Sequence, residues 1–241
     1  MFSNKILILC TTFNFPQELS QTIPCILNVL NHRSDTHCTL IDNYSKDPQT
    51  IHQLNELNHP RLQVIKNHFN HGKAMASNAY LAKTLSHQNC PRILISMDPD
   101  VIFNIEHFNR LILALDTLPK LGMLGMRYTN NNCNPERSVW WPSKTIHHHG
   151  HTFSIRRPVF ANVAGCLFGI QGHVLSHYLN FKLFPKSKNE QNIQSGYIKR
   201  AGSDDAYLYD FLKRFRLTQG YLDGTEITHL KAPPQTENYI Q

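Results

Sequence analysis

Two carboxylates one residue apart, Asp98 and Asp100, offer the clearest chemistry in the sequence. They follow a short apolar run from Ile93 to Met97, which is typical of a strand buried on both faces of a parallel sheet. Pro99 disfavours helical geometry at Asp98, so we expect the strand to stay extended to its end. Acids at the carboxyl end of such a strand lie where open α/β sheets bind ligands, and they can hold a hard divalent cation. The alternative is a polar strand end that turns into solvent, and this stretch alone favours neither.

Composition restricts the class of protein. The chain has 241 residues, of which 41% are hydrophobic and 17% are charged, as is usual for a globular protein with a sizeable core. No apolar run is long enough to form a membrane-spanning helix, and the first apolar run, after Lys5, is predicted to be a strand instead of a signal peptide. The six cysteines include no Cys-x-x-Cys pair, which favours free thiols in a reduced cytoplasm.

The charge of the chain indicates which partners it can have. A formal net charge of +7, with a pI near 9.1, permits anionic partners such as nucleotides, phosphorylated lipids or a membrane surface. The basic residues are spread along the chain, so the charge does not indicate nucleic-acid binding. We therefore expect a cytoplasmic protein that can associate peripherally with the inner face of a membrane.

Strands and helices alternate through the first half of the sequence. The hydrophobic pattern predicts strands at residues 5–10, 37–41, 62–66, 93–97 and 122–126, and helices at residues 16–31, 48–57, 73–85 and 105–118. Such alternation is typical of βαβ units, so we expect an α/β fold of the Rossmann-like nucleotide-binding type, with a mostly parallel central sheet flanked by helices. The glycine-rich dinucleotide fingerprint is absent.

The alternation stops between residues 127 and 158, which we predict to be an irregular, functional loop region. This region contains Trp140, Trp141 and a histidine cluster made of His147, His148, His149 and His151. The tryptophans either stack on a sugar ring or anchor the loop on the core. The histidine cluster can ligate a metal, with His149 and His151 on one face if the chain is extended, but clustered loop histidines are more often only solvated, and we favour that interpretation.

Regular structure is predicted again after residue 158. We expect strands at residues 159–164, 165–170 and 218–228, and a helix at residues 206–215. Asp204 and Asp205 come directly before this helix, where the helix dipole favours negative charge. The tail from Ala232 contains two prolines and is expected to be loosely held.

Seven segments occur in one order along residues 5 to 231: Thr11-Thr12-Phe13-Asn14, Asp42-Asn43-Tyr44-Ser45, Asn70 to Asn78, Asp98-Pro99-Asp100, Gly165 to Gly169, Ser203-Asp204-Asp205-Ala206, and His229. In this order they resemble the motifs of the inverting, A-fold nucleotide-sugar glycosyltransferases of family 2. Asp204 stands where the family has a glutamate, and residues 127–160 match no part of the family pattern. The resemblance implies one glycosyltransferase domain over residues 1–241, with a donor-binding half at about 1–126 and an acceptor and catalytic half at about 127–231.

The resemblance also implies a reaction. A sugar would move from a nucleotide-diphospho-sugar, with a UDP-sugar favoured, to a glycan, lipid-linked or other hydroxyl acceptor with inversion, in surface polysaccharide or glycoconjugate synthesis. The implied cofactor is Mn²⁺ or Mg²⁺, held by Asp100 and His229 with Asp98 nearby, because the leaving phosphates build negative charge. Asp205 is the implied general base, with Asp204 as the alternative. The implied donor-binding residues are Thr11, Thr12, Phe13, Asp42, Asn43, Ser45, Asn70, Gly72, Lys73, Asn78 and Asp98.

Other protein classes fit the same sequence less well. A phosphatase of the haloacid dehalogenase type also has Asp-x-Asp after a buried strand, but its nucleophile lies on the first strand, which here ends in Thr11-Thr12. A sugar nucleotidyltransferase needs a glycine-rich basic loop after the first strand, and none is present. A nucleotide-sugar-binding protein without transferase activity would need neither Asp205 nor His229, so the presence of both favours an enzyme.

Overall fold

The computed structural model describes residues 2–128, 143–157, 166–184 and 204–230, and for residues 128 and 204–207 it describes the backbone. These residues form strands β1 Ile6–Thr12, β2 Thr36–Asp42, β3 Leu62–Lys66, β4 Ile93–Met97, β5 Val101–Phe103, β6 Leu121–Tyr128, β7 Lys144–His148, β8 His151–Arg156, β9 Leu167–Gln171 and β10 Thr218–His229. The helices are α1 Pro16–His32, α2 Pro48–Asn55, α3 Gly72–Thr84, α4 Ile105–Thr117 and α5 Asp204–Lys213. A short 3₁₀ turn covers His87–Asn89, and a π-helical turn covers Val174–Tyr178.

All the described strands belong to one sheet, in the order β3-β2-β1-β4-β9-β6-β10-β8-β7, with β5 paired to β10 outside this path. Strands β3, β2, β1 and β4 are mutually parallel, whereas β9 runs antiparallel to both β4 and β6. The predicted α/β fold with a mostly parallel central sheet flanked by helices is therefore confirmed.

Burial on both faces explains why the central strands are almost continuously apolar. Along β1, Ile6 and Ile8 point into one hydrophobic core while Leu7 and Leu9 point into a second core on the other face. All five residues of β4 are buried for the same reason. Such strands need helices on both faces of the sheet, and α1 and α4 contribute to the first core.

Local sequence signals explain where several helices begin. Helix α1 starts at Pro16, where a missing N–H costs nothing. Asp47 caps α2 by accepting a hydrogen bond from the Thr50 N–H at 2.7 Å, and Asn104 caps α4 by accepting one from the His107 N–H at 2.7 Å. The predicted starts of these three helices agree with the structure to the residue.

The prediction of an irregular region is wrong for residues 144–156, which form the β7–β8 hairpin. His149 and Gly150 make its turn, with φ of 46° and 77°, and positive φ at both central positions matches the twist that a two-residue hairpin turn requires. His149 and His151 therefore do not lie on one extended strand. Trp140 and Trp141 lie outside the described residues.

Several other boundaries differ from the predictions. Strands β1 and β2 continue through Thr12 and Asp42, two residues and one residue further than predicted, because each keeps pairing with its parallel neighbour. Helix α5 begins at Asp204, two residues earlier than predicted, so the paired acids belong to the helix. The predicted strand at residues 159–164 and the tail from Ala232 lie outside the described residues. No helix in the described ranges has the length and apolarity that a membrane crossing needs.

Candidate active site

The carboxyl ends of four parallel strands bring polar side chains to one edge of the sheet. Thr12 of β1 lies beside Asp42 of β2, which in turn lies beside Lys66 of β3. Strand β4 ends next to β1, so Asp98 follows at the same edge. The chain continues from β1 to β2 on one side and later returns to place β4 on the other side of β1. Open α/β sheets form a ligand-binding crevice where the strand order reverses in this way.

Asp98 occupies the junction between three elements. Its carboxylate forms an ion pair with the ammonium group of Lys73, which comes from the first turn of α3. Its backbone N–H donates to the carbonyl oxygen of Cys166 at 2.8 Å, which extends the β4–β9 ladder by one residue. The Asp98 side chain is 23% exposed, so its carboxylate remains open to a ligand.

A second side-chain contact at this edge joins the Asp100 carboxylate to the His229 ring. The His229 Nε2 atom lies 3.0 Å from Asp100 Oδ2, and the Asp100 side chain is buried. Antiparallel pairing of β5 with β10 sets this contact, because His229 pairs with Val101 and the Leu230 N–H donates to the Asp100 carbonyl oxygen at 2.7 Å. Val101 is further fixed by donating its N–H to the Thr22 hydroxyl at 3.1 Å.

The electrostatics of this edge favour positive charge. The hydrogen bond to Asp100 raises the pKa of His229 above its usual value, and the charges of Asp100 and Asp98 act in the same direction. Burial and the nearby Lys73 oppose the rise without cancelling it. Groups that stabilise an imidazolium in this way also attract a bound cation.

The side chains at this edge fit a divalent cation. A carboxylate oxygen of Asp98, the Cys166 sulfur and a ring nitrogen of His229 all lie within 4.8 Å of one another. The 3.0 Å between His229 Nε2 and Asp100 Oδ2 also suits two neighbouring ligands of one ion, since adjacent octahedral ligands at about 2.1 Å from a metal are about 3 Å apart. Carboxylate and imidazole groups ligate Mn²⁺ and related cations.

Cys166 is the residue of this group that the sequence analysis missed. Its thiol is half-buried, and the sequence places it in a predicted strand and in the Gly165 to Gly169 segment without indicating a role for the sulfur. The antiparallel pairing of β9 with β4 places it opposite Asp98, and no local pattern in the sequence announces that pairing.

Two turns beside the crevice are tied together by side-chain amides. Asn14 is held at a φ of 53°, and its side-chain oxygen accepts hydrogen bonds from the Lys46 and Asp47 N–H groups at 2.7 and 2.9 Å. In return, the Asn14 N–H donates to the Ser45 hydroxyl at 3.0 Å, and the Ser45 N–H donates to Asp42 Oδ1 at 2.9 Å. These contacts lock the loop after β1 against the loop after β2.

A third loop, which leads into α3, joins this network. Asn43 Oδ1 accepts hydrogen bonds from the Asn67 amide at 3.0 Å and from the His71 N–H at 3.1 Å, and its own amide donates to Asn70. Asn70 Oδ1 also accepts from the Gly72 N–H at 2.9 Å, where glycine permits a φ of 73°. The loop therefore presents the first turn of α3, including Lys73, towards Asp98.

The remaining donor-binding candidates have different surroundings. The Thr11 hydroxyl is 3.3 Å from the Ser77 hydroxyl, and Phe13 is partly exposed in the loop after β1. Thr12 is buried, and its hydroxyl has no hydrogen-bond partner among the described residues. The Asn78 amide is engaged with the backbone of Phe184, donating to its carbonyl at 2.7 Å and accepting from its N–H at 3.0 Å.

The acids proposed for catalysis and the histidine cluster lie elsewhere on the chain. Asp204 and Asp205 form the start of α5. In the hairpin, His147 Nδ1 is 3.0 Å from the Thr152 hydroxyl, and the His148 and His149 rings lie 4.1 Å apart. Within the parts of the chain that the structure describes, Asp98, Cys166 and His229 make up the group suited to a metal, and the histidine cluster does not.

Carboxylates, an imidazole and a lysine at the crevice of an α/β sheet define the class of site that holds an anionic ligand together with a cation. Comparison with known proteins then identifies the family. Residues 8–177, well over half of the chain, match the family described as Glycosyl transferase family 2. The chain therefore belongs to glycosyl transferase family 2. No protein in the curated set matches the sequence significantly.

Solved structures share the fold at low sequence identity. The mannosyltransferase PcManGT from Pyrobaculum calidifontis, in complex with GDP-Man and Mn²⁺, has a TM-score of 0.63 and 14% identity, over 98% of this chain and 59% of that one. TarS 1–349 from S. aureus, in complex with UDP-GlcNAc, has a TM-score of 0.61 and 13% identity, over 98% of this chain and 62% of that one. The chain thus has a GT-A fold and spans about three fifths of the length of these structures.

Proposed function

We propose that this protein transfers a sugar from a nucleotide-diphospho-sugar to an acceptor hydroxyl, with a divalent cation bound at the crevice edge. The observation that carries the proposal is the convergence of Asp98, Asp100 and His229 at the carboxyl end of β4, beside Lys73. Family membership supports the proposal, although the matched residues end at 177 and His229 lies beyond them.

Each residue at this edge has a proposed task. Asp100 and His229 would hold Mn²⁺ or Mg²⁺ with Asp98, and the bound cation would neutralise charge on the leaving diphosphate. Lys73 would exchange part of its ion pair with Asp98 for the donor phosphates, as it lies on the first turn of α3, where the helix dipole also favours an anion. Asp42 and Asn43 would position the nucleotide through the loop network that they organise.

Asp205 is the proposed general base for the acceptor hydroxyl. Its position at the start of α5 and its match to the family motif support this role. We expect Asp205→Asn to lower turnover by roughly a hundredfold or more with donor affinity nearly unchanged, because a base acts in the transition state. Asp204→Asn should cost less. If Asp204→Asn is the inactive variant and Asp205→Asn stays active, the two roles are reversed.

We propose that the transfer inverts the anomeric configuration, because the base would activate the acceptor hydroxyl for a single displacement on the face opposite the leaving diphosphate, with no covalent intermediate. Proton NMR of the product checks this directly. An α-linked donor should give a β-linked product, and an α-linked product would contradict the single displacement.

The donor is proposed to be a UDP-sugar or a GDP-sugar. Two structures of the same fold, PcManGT and TarS, were solved with GDP-Man and UDP-GlcNAc respectively. The resemblance to the family favours a UDP-sugar. We would incubate the protein with a panel of UDP- and GDP-sugars in Mn²⁺, Mg²⁺ or EDTA, and record the melting temperature and the release of nucleoside diphosphate. One donor should raise the melting temperature and release its diphosphate only with a cation. Stabilisation without any release, even with acceptors present, would instead indicate a nucleotide-sugar-binding protein.

The acceptor is proposed to be a glycan or a lipid-linked hydroxyl compound of surface polysaccharide or glycoconjugate synthesis. The β7–β8 hairpin is proposed to form one wall of its site, and Trp140 and Trp141 lie outside the described residues. Limited proteolysis with and without donor tests this, since a hairpin that donor binding stabilises should lose cleavage between Arg127 and Arg157. Unchanged cleavage would contradict it.

Peripheral association with a membrane is also proposed. An aromatic patch made of Tyr178 and Phe215 is 37% and 42% exposed, with ring centroids 4.7 Å apart. Lys213, Arg214 and Arg216 are exposed beside it, and such a combination suits an anionic lipid surface.

Vesicle sedimentation tests the membrane proposal. The protein should pellet with vesicles that contain anionic lipid, and Phe215→Ala should pellet less. Leu113→Ala is the matched control, because Leu113 is a similarly exposed apolar residue on α4. Equal loss in both variants, or no pelleting of the unaltered protein, would refute the role of the aromatic patch.

A further inference from the structure

Cys166 lies directly opposite Asp98 across two antiparallel strands. Strand β9 pairs with β4 from Ile93 opposite Gln171 to Met97 opposite Leu167, and the next pair in this register is Asp98 with Cys166. The 2.8 Å hydrogen bond from the Asp98 N–H to the Cys166 carbonyl oxygen confirms that the register continues. Directly opposed residues of an antiparallel pair have side chains on the same face, about 5 Å apart at Cβ. The thiol therefore faces the same crevice as the Asp98 carboxylate.

The third member of the group approaches from a different strand. His229 is the last residue of β10. Its ring nitrogen, the Cys166 sulfur and an Asp98 oxygen all lie within 4.8 Å of one another. Around a metal with bonds of about 2.3 Å to sulfur and about 2.1 Å to nitrogen, tetrahedral ligands are about 3.6 Å apart. Side-chain adjustments of about 1 Å are thus enough to bring these three atoms around one ion.

We propose that the Cys166 sulfur is a ligand of the divalent cation at this site, together with Asp98 and His229. The site would then prefer a transition-metal cation such as Mn²⁺, Co²⁺ or Zn²⁺ over Mg²⁺. Sulfur ligands strengthen binding of softer cations, whereas Mg²⁺ takes oxygen ligands in near-ideal octahedral geometry. This inference rests on the proposed function. It favours Mn²⁺ over Mg²⁺, the two cations between which the sequence does not decide.

A packing role for Cys166 is the alternative. The residue contacts the hydrophobic core on one face of the sheet, and a free cysteine often behaves as a small apolar side chain. A packing role predicts that Cys166→Ser changes the melting temperature and leaves cation preference as it was. A ligand role predicts that Cys166→Ser changes the cation preference more than the melting temperature. Measuring both properties therefore separates the two roles.

The direct test is the absorption spectrum of the protein with Co²⁺ as the probe. A sulfur-to-cobalt charge-transfer band in the near ultraviolet reports a Co–S bond, independently of any catalytic activity. We expect the band in the unaltered protein and in Cys25→Ser, but not in Cys166→Ser or Cys166→Ala. Cys25 is the matched control, because it is a half-buried free thiol on α1 that lies outside the metal group.

Cation affinities measured by calorimetry complete the test. We expect Cys166→Ser to lower the affinity for Co²⁺ and Zn²⁺ by about tenfold or more, since even the loss of an outer-shell partner costs tenfold to a hundredfold. The affinity for Mg²⁺ should stay within about twofold, because Mg²⁺ does not use sulfur. An unchanged ratio of Zn²⁺ to Mg²⁺ affinity in Cys166→Ser would overturn the proposal.

The outcomes separate this inference from the proposed function. Cobalt binding without a charge-transfer band would refute the Cys166 ligand and leave the metal-dependent transferase standing. No binding of any divalent cation, with or without a nucleoside diphosphate, would refute both.

Discussion

The Asn78 side chain provides a prediction that separates a structural role from a ligand-binding role. Its amide makes two hydrogen bonds to the backbone of Phe184, at 2.7 and 3.0 Å, and thereby ties α3 to the segment that follows the π-helical turn. Phe184 is buried in the second hydrophobic core, so water cannot easily replace the lost partners. Asn78→Ala would leave one N–H and one carbonyl group of Phe184 unsatisfied.

The magnitude follows from the contacts. A buried N–H and a buried carbonyl group that are left without a partner cost about 1–3 kcal/mol each. The higher helix propensity of alanine returns roughly 0.5 kcal/mol on α3. We therefore expect Asn78→Ala to lower the free energy of unfolding by about 1.5–5.5 kcal/mol, which corresponds to a fall in melting temperature of at least about 3 °C for a chain of this size.

Urea and thermal denaturation measure the effect, with Lys83→Ala as the control on the same helix. Lys83 is exposed, so its replacement should change stability by less than about 0.5 kcal/mol. Asn78→Asp should destabilise at least as much as Asn78→Ala, because a carboxylate oxygen would replace the donor 2.7 Å from the Phe184 carbonyl oxygen and repel it. If Asn78→Ala is as stable as the unaltered protein but loses donor affinity, the structural argument is refuted and Asn78 is a donor-binding residue.

Two further predictions concern stability. Gly172→Ala should lower the free energy of unfolding by about 1–3 kcal/mol in urea denaturation. The added Cβ would lie 1.9 Å from the Pro91 carbonyl oxygen, which belongs to the backbone and cannot rotate away. Unchanged stability would contradict this, because it would show that the end of β9 shifts at no cost. Partial burial raises the pKa of Asp35, but hydrogen bonds and charges from Arg33 and Arg92 outweigh it and hold the pKa below its usual value of 3.8. Folding is therefore stabilised above that pH, and the contribution is lost as the pH falls through the lowered pKa. The melting-temperature difference between the unaltered protein and Asp35→Asn should be constant above about pH 5 and shrink below about pH 4, and a difference independent of pH would contradict this account.

Local sequence patterns predicted the first half of the fold well. Strand β3 agrees with its predicted bounds, and the starts of α1, α2 and α4 agree with the prediction. The structure explains these starts by Pro16 and by the caps Asp47 and Asn104. These elements succeed because hydrophobic periodicity and capping act over a few residues. The acids at the end of β4 were also found, since a buried strand followed by Asp98 and Asp100 is a local signal.

The parts that the sequence did not reveal depend on contacts between distant residues. Strand β5 has three residues and exists through its pairing with β10, more than a hundred positions away. Cys166 reaches the site only through the antiparallel pairing of β9 with β4. The β7–β8 hairpin was missed because histidines and threonines in its strands hide the usual alternation of apolar and polar residues.

The central claim is that a nucleoside diphosphate binds at the Asp98–Asp100–His229 edge through a divalent cation. Isothermal titration calorimetry with UDP and with GDP, in Mn²⁺ or in EDTA, tests it most directly. Asp116→Asn is the control for Asp100→Asn, because Asp116 pairs with Arg92 at the opposite end of β4. The account predicts binding of one nucleotide in Mn²⁺, with affinity at least about tenfold lower in EDTA and in Asp100→Asn and unchanged in Asp116→Asn. Equal affinity with and without the cation, or in Asp100→Asn, would contradict it.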